Sequence, residues 1–482
     1  MQTLARRIAK ASGITVTSTV IYLGLGVLIH SLIGRIYGPE GIGFYAAFLM
    51  FVQLYSMFAI FGLPTALSKY TAEHEEKGEH VEITKIFSSL LIFATFSSII
   101  IGIVSRFITP HLARVMHIES TADLSFFVSV GLLFFSYSML CQALFQGLLK
   151  AFKSALIQNL SFFAILLVIL YAYFFNKIPV YYAVVFGYFA SGILGIWLGW
   201  RQGVLKWQFN KDAFLKIVKF AIPIAIGAYL FFISQWIDRF TIGAFLGMKE
   251  MGIFTAGMTI IQATRRIPAS LTPILIPSYS KINVYGKEKI GKALNLNIKI
   301  GAIFLFFAGS LTFLYAKDII SILYGSKFSQ TVLILQILSI GTFLTAITLP
   351  ASTLITGSGH PKLNLYLNFI GIPTQIILIV LLTKHYGIVG TAIANLLVGL
   401  VYVLGALFMV SKVLKIYIHY ESLMGPILGW FIFILSYFFI FKISNNSILA
   451  GIIGIIIYVF VCWTKVLNIE DKQSIRKIKN NK

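Results

Sequence analysis

Charged residues are scarce in this chain, and acidic residues are the scarcest. Only 11% of the 482 residues are charged, with 16 Asp and Glu against 39 Lys and Arg. A soluble protein carries about 25% charge. With 58% hydrophobic residues and a mean hydropathy of +0.89, the chain has too little polar surface to cover a core that faces water. Lipid must be its solvent, so the composition predicts an all-α membrane protein.

The chain also lacks the residue patterns of an enzyme or a metalloprotein. The only cysteines, Cys141 and Cys462, fall in predicted helices, so no disulfide framework is expected. The run GKEKIGK from Gly286 has the spacing of a phosphate-binding loop, but Ala293 follows it where a Ser or Thr should hold magnesium. No metal-ligand spacing and no pair of carboxylates in the membrane are visible. We therefore predict that the protein is not an enzyme and needs no cofactor.

What is present is a series of about fourteen apolar segments. Each approaches the roughly 20 residues that cross the hydrocarbon layer. Lys and Arg concentrate in alternate connections, and cytoplasmic loops collect these residues, so both termini are predicted to be cytoplasmic. Because the basic residues are scattered in short loops, no nucleic-acid partner is expected. The predicted spans are 12–33, 42–63, 86–108, 123–146, 154–175, 180–200, 218–241, 250–278, 296–316, 329–354, 363–383, 387–410, 423–441 and 447–464.

The segments repeat once. The run IGRIYGPEGIGFYAAF from Ile33 returns as IGAFLGMKEMGIFTAG from Ile242, and the offset of 209 superposes Gly43 on Gly252. Helices 1–6 thus correspond to helices 7–12, and an even number of spans gives both copies the same orientation, as in the parallel repeats of secondary transporters. We predict an N-lobe at 1–205, a C-lobe at 206–415, and helices 13 and 14 with a basic cytoplasmic tail at 416–482.

The strongest candidate for substrate binding is the pair Arg265 and Arg266 in predicted helix 8. One Arg at a helix centre costs roughly 2.5–3.5 kcal/mol on insertion scales, so the pair is expected either to bind an anion or to find buried structural partners. Gln262 lies one turn before Arg266, and Gln53 is its repeat mate. The two amides are equally compatible with binding sugar hydroxyls or a phosphate and with hydrogen bonds between helices.

A second group of candidates lies near the predicted outer ends of helices 1 and 7. His30 aligns with Arg239 under the same offset, and Arg35 follows in the first outer connection. The three are predicted either to form a positive ring at an outer cavity mouth or to extend their charged ends to the interface. Asp238 is the only acidic residue in the nearby spans.

The residues resemble a known family. The runs IGRIYGPEGIGFYAAF, IDRFTIGAFLGMKEMGIFTA, GLPTALSKY and LFQGLLKAFK are similar to the Wzx-like polysaccharide transporters of the multidrug/oligosaccharidyl-lipid/polysaccharide flippase superfamily. In this resemblance Asp238 and Arg239 match a polar pair that ends helix 7, and Gly247 and Gly252 match the turn that follows.

The resemblance implies a V-shaped flippase fold with two six-helix lobes around a cationic cavity. It further implies movement of an oligosaccharide on an undecaprenyl or dolichyl (pyro)phosphate to the outer leaflet of the cell membrane. Membrane lipid, a coupling ion (H⁺ or Na⁺) and polysaccharide assembly proteins are the partners that this family implies.

Two other interpretations stay open at this stage. A drug/cation antiporter of the same superfamily would need membrane carboxylates to bind its cations, and helix 1 has no acidic residue. A membrane glycosyltransferase or ligase would be expected to show a catalytic carboxylate and a sizeable outer domain, and neither is visible in the sequence.

Overall fold

The fold of the chain is helical in a computed structural model, which describes residues 2–118, 121–175 and 178–467. That part contains no β-strand, and the basic tail beyond Leu467 lies outside it. The helices are α1 (Gln2–Ala59), α2 (Leu63–Glu76), α3 (His80–Val115), α4 (Thr121–Gly147), α5 (Ala151–Phe174), α6 (Val180–Arg201), α7 (Lys211–Leu246), α8 (Met248–Ala269), α9 (Thr272–Asn283), α10 (Lys287–Leu314), α11 (Ala316–Tyr324), α12 (Thr331–Gly357), α13 (Pro361–Phe408), α14 (Glu421–Ser444) and α15 (Ser447–Val461).

Eleven helical segments of the described residues are long and apolar enough to cross a membrane, which confirms the all-α membrane fold. Two of them are far longer than one crossing requires. Gly38 (φ 72°, ψ −167°) interrupts α1, and Gly387 (φ 58°, ψ −145°) interrupts α13. Glycine reaches such positive φ values without steric cost. The predicted pairs of helices 1 and 2, and 11 and 12, are therefore joined at one residue, and the count of fourteen spans stays a prediction.

The sequence placed one helix at 250–278, and this prediction is wrong. Helix α8 ends at Ala269 and α9 begins at Thr272, because Pro268 and Pro273 each remove a backbone donor and crowd the preceding turn. The same break occurs in the first half, where α1 ends at Ala59 and α2 begins at Leu63. That second helix lies in a stretch that the sequence assigned to a polar connection.

The helix bounds confirm the internal repeat. Helices α2 and α9 begin 209 residues apart, and α4 and α12 begin and end 210 residues apart. Their packing is equivalent as well. A Cβ on Gly147 would lie 2.6 Å from the carbonyl oxygen of Ser68 in α2, and one on Gly357 would lie 2.7 Å from that of Ile276 in α9. Each half thus needs glycine at the same close approach of two helices.

By its internal contacts the chain divides into two compact units. The first comprises 1–259, 320–331 and 379–391, and the second comprises 260–319, 332–378 and 392–482. In the second unit, α14 and α15 pack against α10, where the Tyr458 hydroxyl donates to the Ile303 carbonyl at 2.8 Å and Phe433 packs on Tyr458. The lobe bounds 1–205, 206–415 and 416–482 stay a prediction.

Candidate substrate-binding site

Arg265 lies in the second unit near the end of α8. The side chain is half-buried, and its Nε atom is buried without a hydrogen-bond partner among the described residues. It also forms no ion pair within that part of the chain. A buried cation without a counter-charge is costly. The geometry therefore provides a cation that an anionic ligand would stabilise.

Glycine in α12 makes room for this guanidinium. A Cβ on Gly341 would stand 2.9 Å from Nη2 of Arg265, which is closer than ordinary contact. Any side chain at that position would push the guanidinium away. The sequence argument identified Arg265 from its cost in the membrane, but Gly341 carried no signal because it lies 76 residues further along the chain.

Arg266 points about 100° away from Arg265 around α8, and Gln262 lies one turn before both. Arg266 is exposed and has an interaction partner, whereas Gln262 is half-buried. Successive helical residues point about 100° apart, and residues four apart share a face. The two arginines therefore differ in environment, as adjacent residues on a helix must, and only Arg265 has a buried nitrogen without a partner.

Gln53, the repeat mate of Gln262, lies in the first unit and has a structural contact. Its Oε1 accepts a hydrogen bond of 3.2 Å from Nε1 of Trp236 in α7. One turn further along α1, the Met57 carbonyl accepts a hydrogen bond from the Tyr229 hydroxyl at 3.3 Å. Of the two roles left open for Gln53, the contact between helices is thus present, and a role toward substrate stays a prediction.

Asp238 and Arg239 form a buried ion pair in α7. Asp238 is 2% exposed and Arg239 5% exposed, and their Oδ1 and Nη1 atoms are 3.3 Å apart. Nη1 also donates to the Gln235 carbonyl at 2.7 Å, and the guanidinium lies 5.2 Å from the centre of the Trp236 ring. Arg239 therefore has its charge balanced by Asp238, and its Nη1 is hydrogen-bonded within α7.

His30 lies close enough to Arg239 for the two to interact electrostatically. Its Nδ1 is buried and has no hydrogen-bond partner in the described part of the chain, and its ring packs edge-on against Tyr45 at 5.0 Å. Arg35 points elsewhere. Its Nε donates to the Leu323 carbonyl at 3.0 Å and its Nη2 to the Ile322 carbonyl. The structure thus brings His30 and Arg239 together, whereas Arg35 is hydrogen-bonded to the backbone of residues 322–323. That the three form a positive ring at an outer cavity mouth stays a prediction.

A reciprocal glycine contact joins the two copies of the repeated motif inside the first unit. A Cβ on Gly43 would lie 2.9 Å from the carbonyl carbon of Met248 and closer still to its oxygen, and one on Gly252 would lie 2.7 Å from the carbonyl carbon of Pro39 and closer to its oxygen. These four residues exchange places under the offset of 209. We call this two-fold contact of Pro39, Gly43, Met248 and Gly252 the glycine clasp.

The residues before the glycine clasp are related in the same way. Gly38 has φ 72° and ψ −167°, and Gly247 has φ 91° and ψ −176°, a region open essentially to glycine alone. The motif glycines thus have two roles. Gly38 and Gly247 turn the chain, and Gly43 and Gly252 let the carbonyl of the other copy approach.

Among the described residues, no three His, Cys, Asp or Glu side chains form a group that could hold a metal ion.

Internal repeats of membrane-spanning helices are the ground plan of many transporter folds, and this chain adds a half-buried arginine whose Nε has no partner among the described residues. A family model described as polysaccharide biosynthesis protein matches residues 32–333. The uncharacterized membrane protein MJ1375 of Methanocaldococcus jannaschii is 23% identical over 85% of this chain and 99% of its own length. The probable low-salt glycan biosynthesis flippase Agl15 of Haloferax volcanii is 21% identical over 42% of this chain and 43% of its own.

The fold is similar to that of lipid II flippase MurJ in an inward closed conformation. The TM-score is 0.75 at 16% identity, covering 93% of this chain and 97% of that one. The chain therefore belongs to the polysaccharide biosynthesis protein family. The resemblance to the Wzx-like transporters of the multidrug/oligosaccharidyl-lipid/polysaccharide flippase superfamily is confirmed.

Proposed function

We propose that this protein moves an oligosaccharide linked to a lipid (pyro)phosphate from the cytoplasmic to the outer leaflet of the cell membrane. Its family membership and relatives named as flippases support transport of this kind. The observation that carries the proposal is the buried Nε of Arg265, which has no partner in the described residues. A substrate phosphate would supply the missing acceptors, since guanidinium binds phosphate oxygens through two parallel hydrogen bonds.

The same arrangement argues against the two other interpretations. Within the described residues the carboxylate of Asp238, which a cation antiporter could use, is paired with Arg239. A ligase or glycosyltransferase would need an acid or base at its reacting atoms, whereas the proposed site offers a cation. Two of the relatives, Agl15 of Haloferax volcanii and the lipid III flippase of Escherichia coli, are named as flippases, in keeping with a transporter.

The energetics favour export of an anionic head group. Moving one charge through 100 mV is worth roughly 2.3 kcal/mol, and a lipid pyrophosphate carries about two negative charges that the negative cytoplasm repels. In this proposal Arg265 lowers the barrier without supplying the energy, and the glycine clasp separates when the substrate leaves on the outer side. A coupling proton or sodium ion is the alternative source of energy, and polysaccharide assembly proteins would receive the product.

Export in cells tests the role of Arg265. Arg265→Ala should abolish glycan export while the protein still inserts. Arg265→Lys should retain part of the export activity, and the retained part should be smaller if the guanidinium binds phosphate through two hydrogen bonds, which a lysine cannot reproduce. The matched control is Arg114→Ala, because Arg114 is exposed at the end of α3. Full export by Arg265→Ala, or equal loss in the control, would contradict the proposed site.

A further inference from the structure

A cavity of about 580 Å³ opens in the first unit where the start of α3 meets the connection between α6 and α7. Arg265 is not among the residues that line it, and the proposed transport role does not use it. None of its nine described lining residues is acidic. The polar side chains that line it are His80, Thr84, Lys85, Lys206, Gln208 and Asn210.

The walls of this cavity are fixed by hydrogen bonds between α3 and the connection. The Oγ atom of Ser88 accepts from the backbone N–H of Lys206 at 3.0 Å, and that of Ser89 accepts from the N–H of Asn210 at 2.8 Å. Asn210 in turn caps α7, where its Oδ1 accepts from the Ala213 N–H at 2.9 Å. The cavity is therefore built into the fold and does not depend on ligand to form.

The charges at the cavity suit an anion. Lys85 and Lys206 both line it, and the first turn of α3 has no side-chain cap, because Glu79 instead bonds Nδ1 of His74 at 2.5 Å. No carboxylate lines the cavity, but Glu82 contacts Lys85 at 2.7 Å and Glu75 contacts His80 at 3.4 Å. Lys206 is therefore the lining cation that forms no ion pair within the described residues.

Exposed aromatic residues identify the source of the anion as lipid. Phe209 lines the cavity and is 51% exposed, and Trp207 beside it is 66% exposed. Such side chains anchor a protein at the level of lipid head groups, and lysines near the cytoplasmic surface attract anionic lipids by about 1 kcal/mol each. We infer that this cavity binds the phosphodiester head group of an anionic membrane lipid, and so ties the connection between the two repeats to the membrane surface.

Native mass spectrometry of the full chain, titrated with phosphatidylglycerol, tests this inference. The wild type should bind a first lipid saturably, and Lys85→Ala/Lys206→Ala should raise the Kd for that lipid by about tenfold or more, since each lysine contributes about 1 kcal/mol. The matched control is Lys77→Ala/Lys281→Ala, which removes the same charge at two exposed positions outside the cavity.

Equal lipid binding by the wild type and the cavity variant would overturn the inference, and so would an equal loss in the control. Titration with inorganic phosphate distinguishes the source. We expect phosphate to displace the lipid only weakly; phosphate that binds this cavity as tightly as the lipid would contradict a lipid head group. The measurement does not involve transport, so its failure would leave the proposed flippase function untouched.

Discussion

Alanine at the two glycines of the glycine clasp should open it. A Cβ on Gly43 or Gly252 would lie 2.9 or 2.7 Å from the opposite carbonyl carbon, whereas ordinary carbon–carbon contacts are about 3.5–4.0 Å. Each substitution therefore requires the two copies of the motif to separate by roughly 1 Å. The contact is made by backbone on the opposite side, so no side chain can rotate away to relieve it.

The expected energy follows from the cost of overpacking. Inserting a methyl group into a closely packed contact costs about 1–3 kcal/mol, so Gly43→Ala/Gly252→Ala should weaken the closed clasp by about 2 kcal/mol or more. Because 1.4 kcal/mol is a factor of about ten, the ratio of closed to open molecules should fall by at least roughly 30-fold. Either single variant should produce a smaller shift in the same direction.

Pulsed electron paramagnetic resonance can follow the separation. Nitroxides at Glu40→Cys and Lys249→Cys would report it, because both positions are exposed, flank the clasp and are themselves repeat mates. The background would replace Cys141 and Cys462, which are both buried. We expect a narrow short distance in this background and a population at longer distance in the double alanine variant.

The control uses glycines with free space around them. No atom lies within 4 Å of a Cβ on Gly24 in α1 or Gly227 in α7, so Gly24→Ala/Gly227→Ala should leave the distance unchanged and favour the helices by up to about 1 kcal/mol each. Gel filtration would show whether Gly43→Ala/Gly252→Ala is folded. If the folded variant keeps the nitroxide distance of the cysteine background, the prediction that the glycine clasp opens is contradicted.

Three further predictions concern single positions. Asp238→Asn should lower the melting temperature, because it leaves Arg239 buried without a counter-charge, and breaking such a pair costs about 3–5 kcal/mol; Asp238→Asn/Arg239→Gln should recover part of the loss. Gly341→Ala should reduce export by less than Arg265→Ala while the protein stays folded, because the guanidinium must shift to make room for a Cβ there; normal export would refute that link. A cysteine at Val115, which is 51% exposed, should react with an impermeant maleimide in intact cells, and protection from it would reverse the predicted topology.

Much of the fold could be predicted from the sequence because its signals are local. Apolar runs locate the helices, and the offset that superposes Gly43 on Gly252 correctly predicted the repeat. The sequence divided 12–33 from 42–63 and 363–383 from 387–410, and the structure places a non-helical glycine, Gly38 or Gly387, between the helices of each pair; that one residue makes each connection could not be read from hydropathy. The break between α8 and α9 was missed because the prediction treats Pro268 and Pro273 as bends inside one helix, and neither α8 nor α9 is among the described helices apolar and long enough to span.

The site was harder to predict because it depends on which helices touch. The cost of a membrane arginine singled out Arg265, but the space that Gly341 leaves for it is a contact between distant segments. The offset of 209 likewise showed that Gly43 and Gly252 are equivalent positions. It did not show that each of them packs against the other copy of the motif. The hydrogen bond from Trp236 to Gln53 is of the same kind.

The central claim is that this protein carries a lipid-linked oligosaccharide across the membrane by way of Arg265. The most direct measurement is the flipping rate of a fluorescent oligosaccharide pyrophosphate lipid in proteoliposomes, scored by the fraction that an impermeant quencher reaches. We expect rapid flipping by the wild type and a rate near that of protein-free liposomes for Arg265→Ala. A wild-type rate no faster than protein-free liposomes, or an unimpaired Arg265→Ala variant, would contradict it.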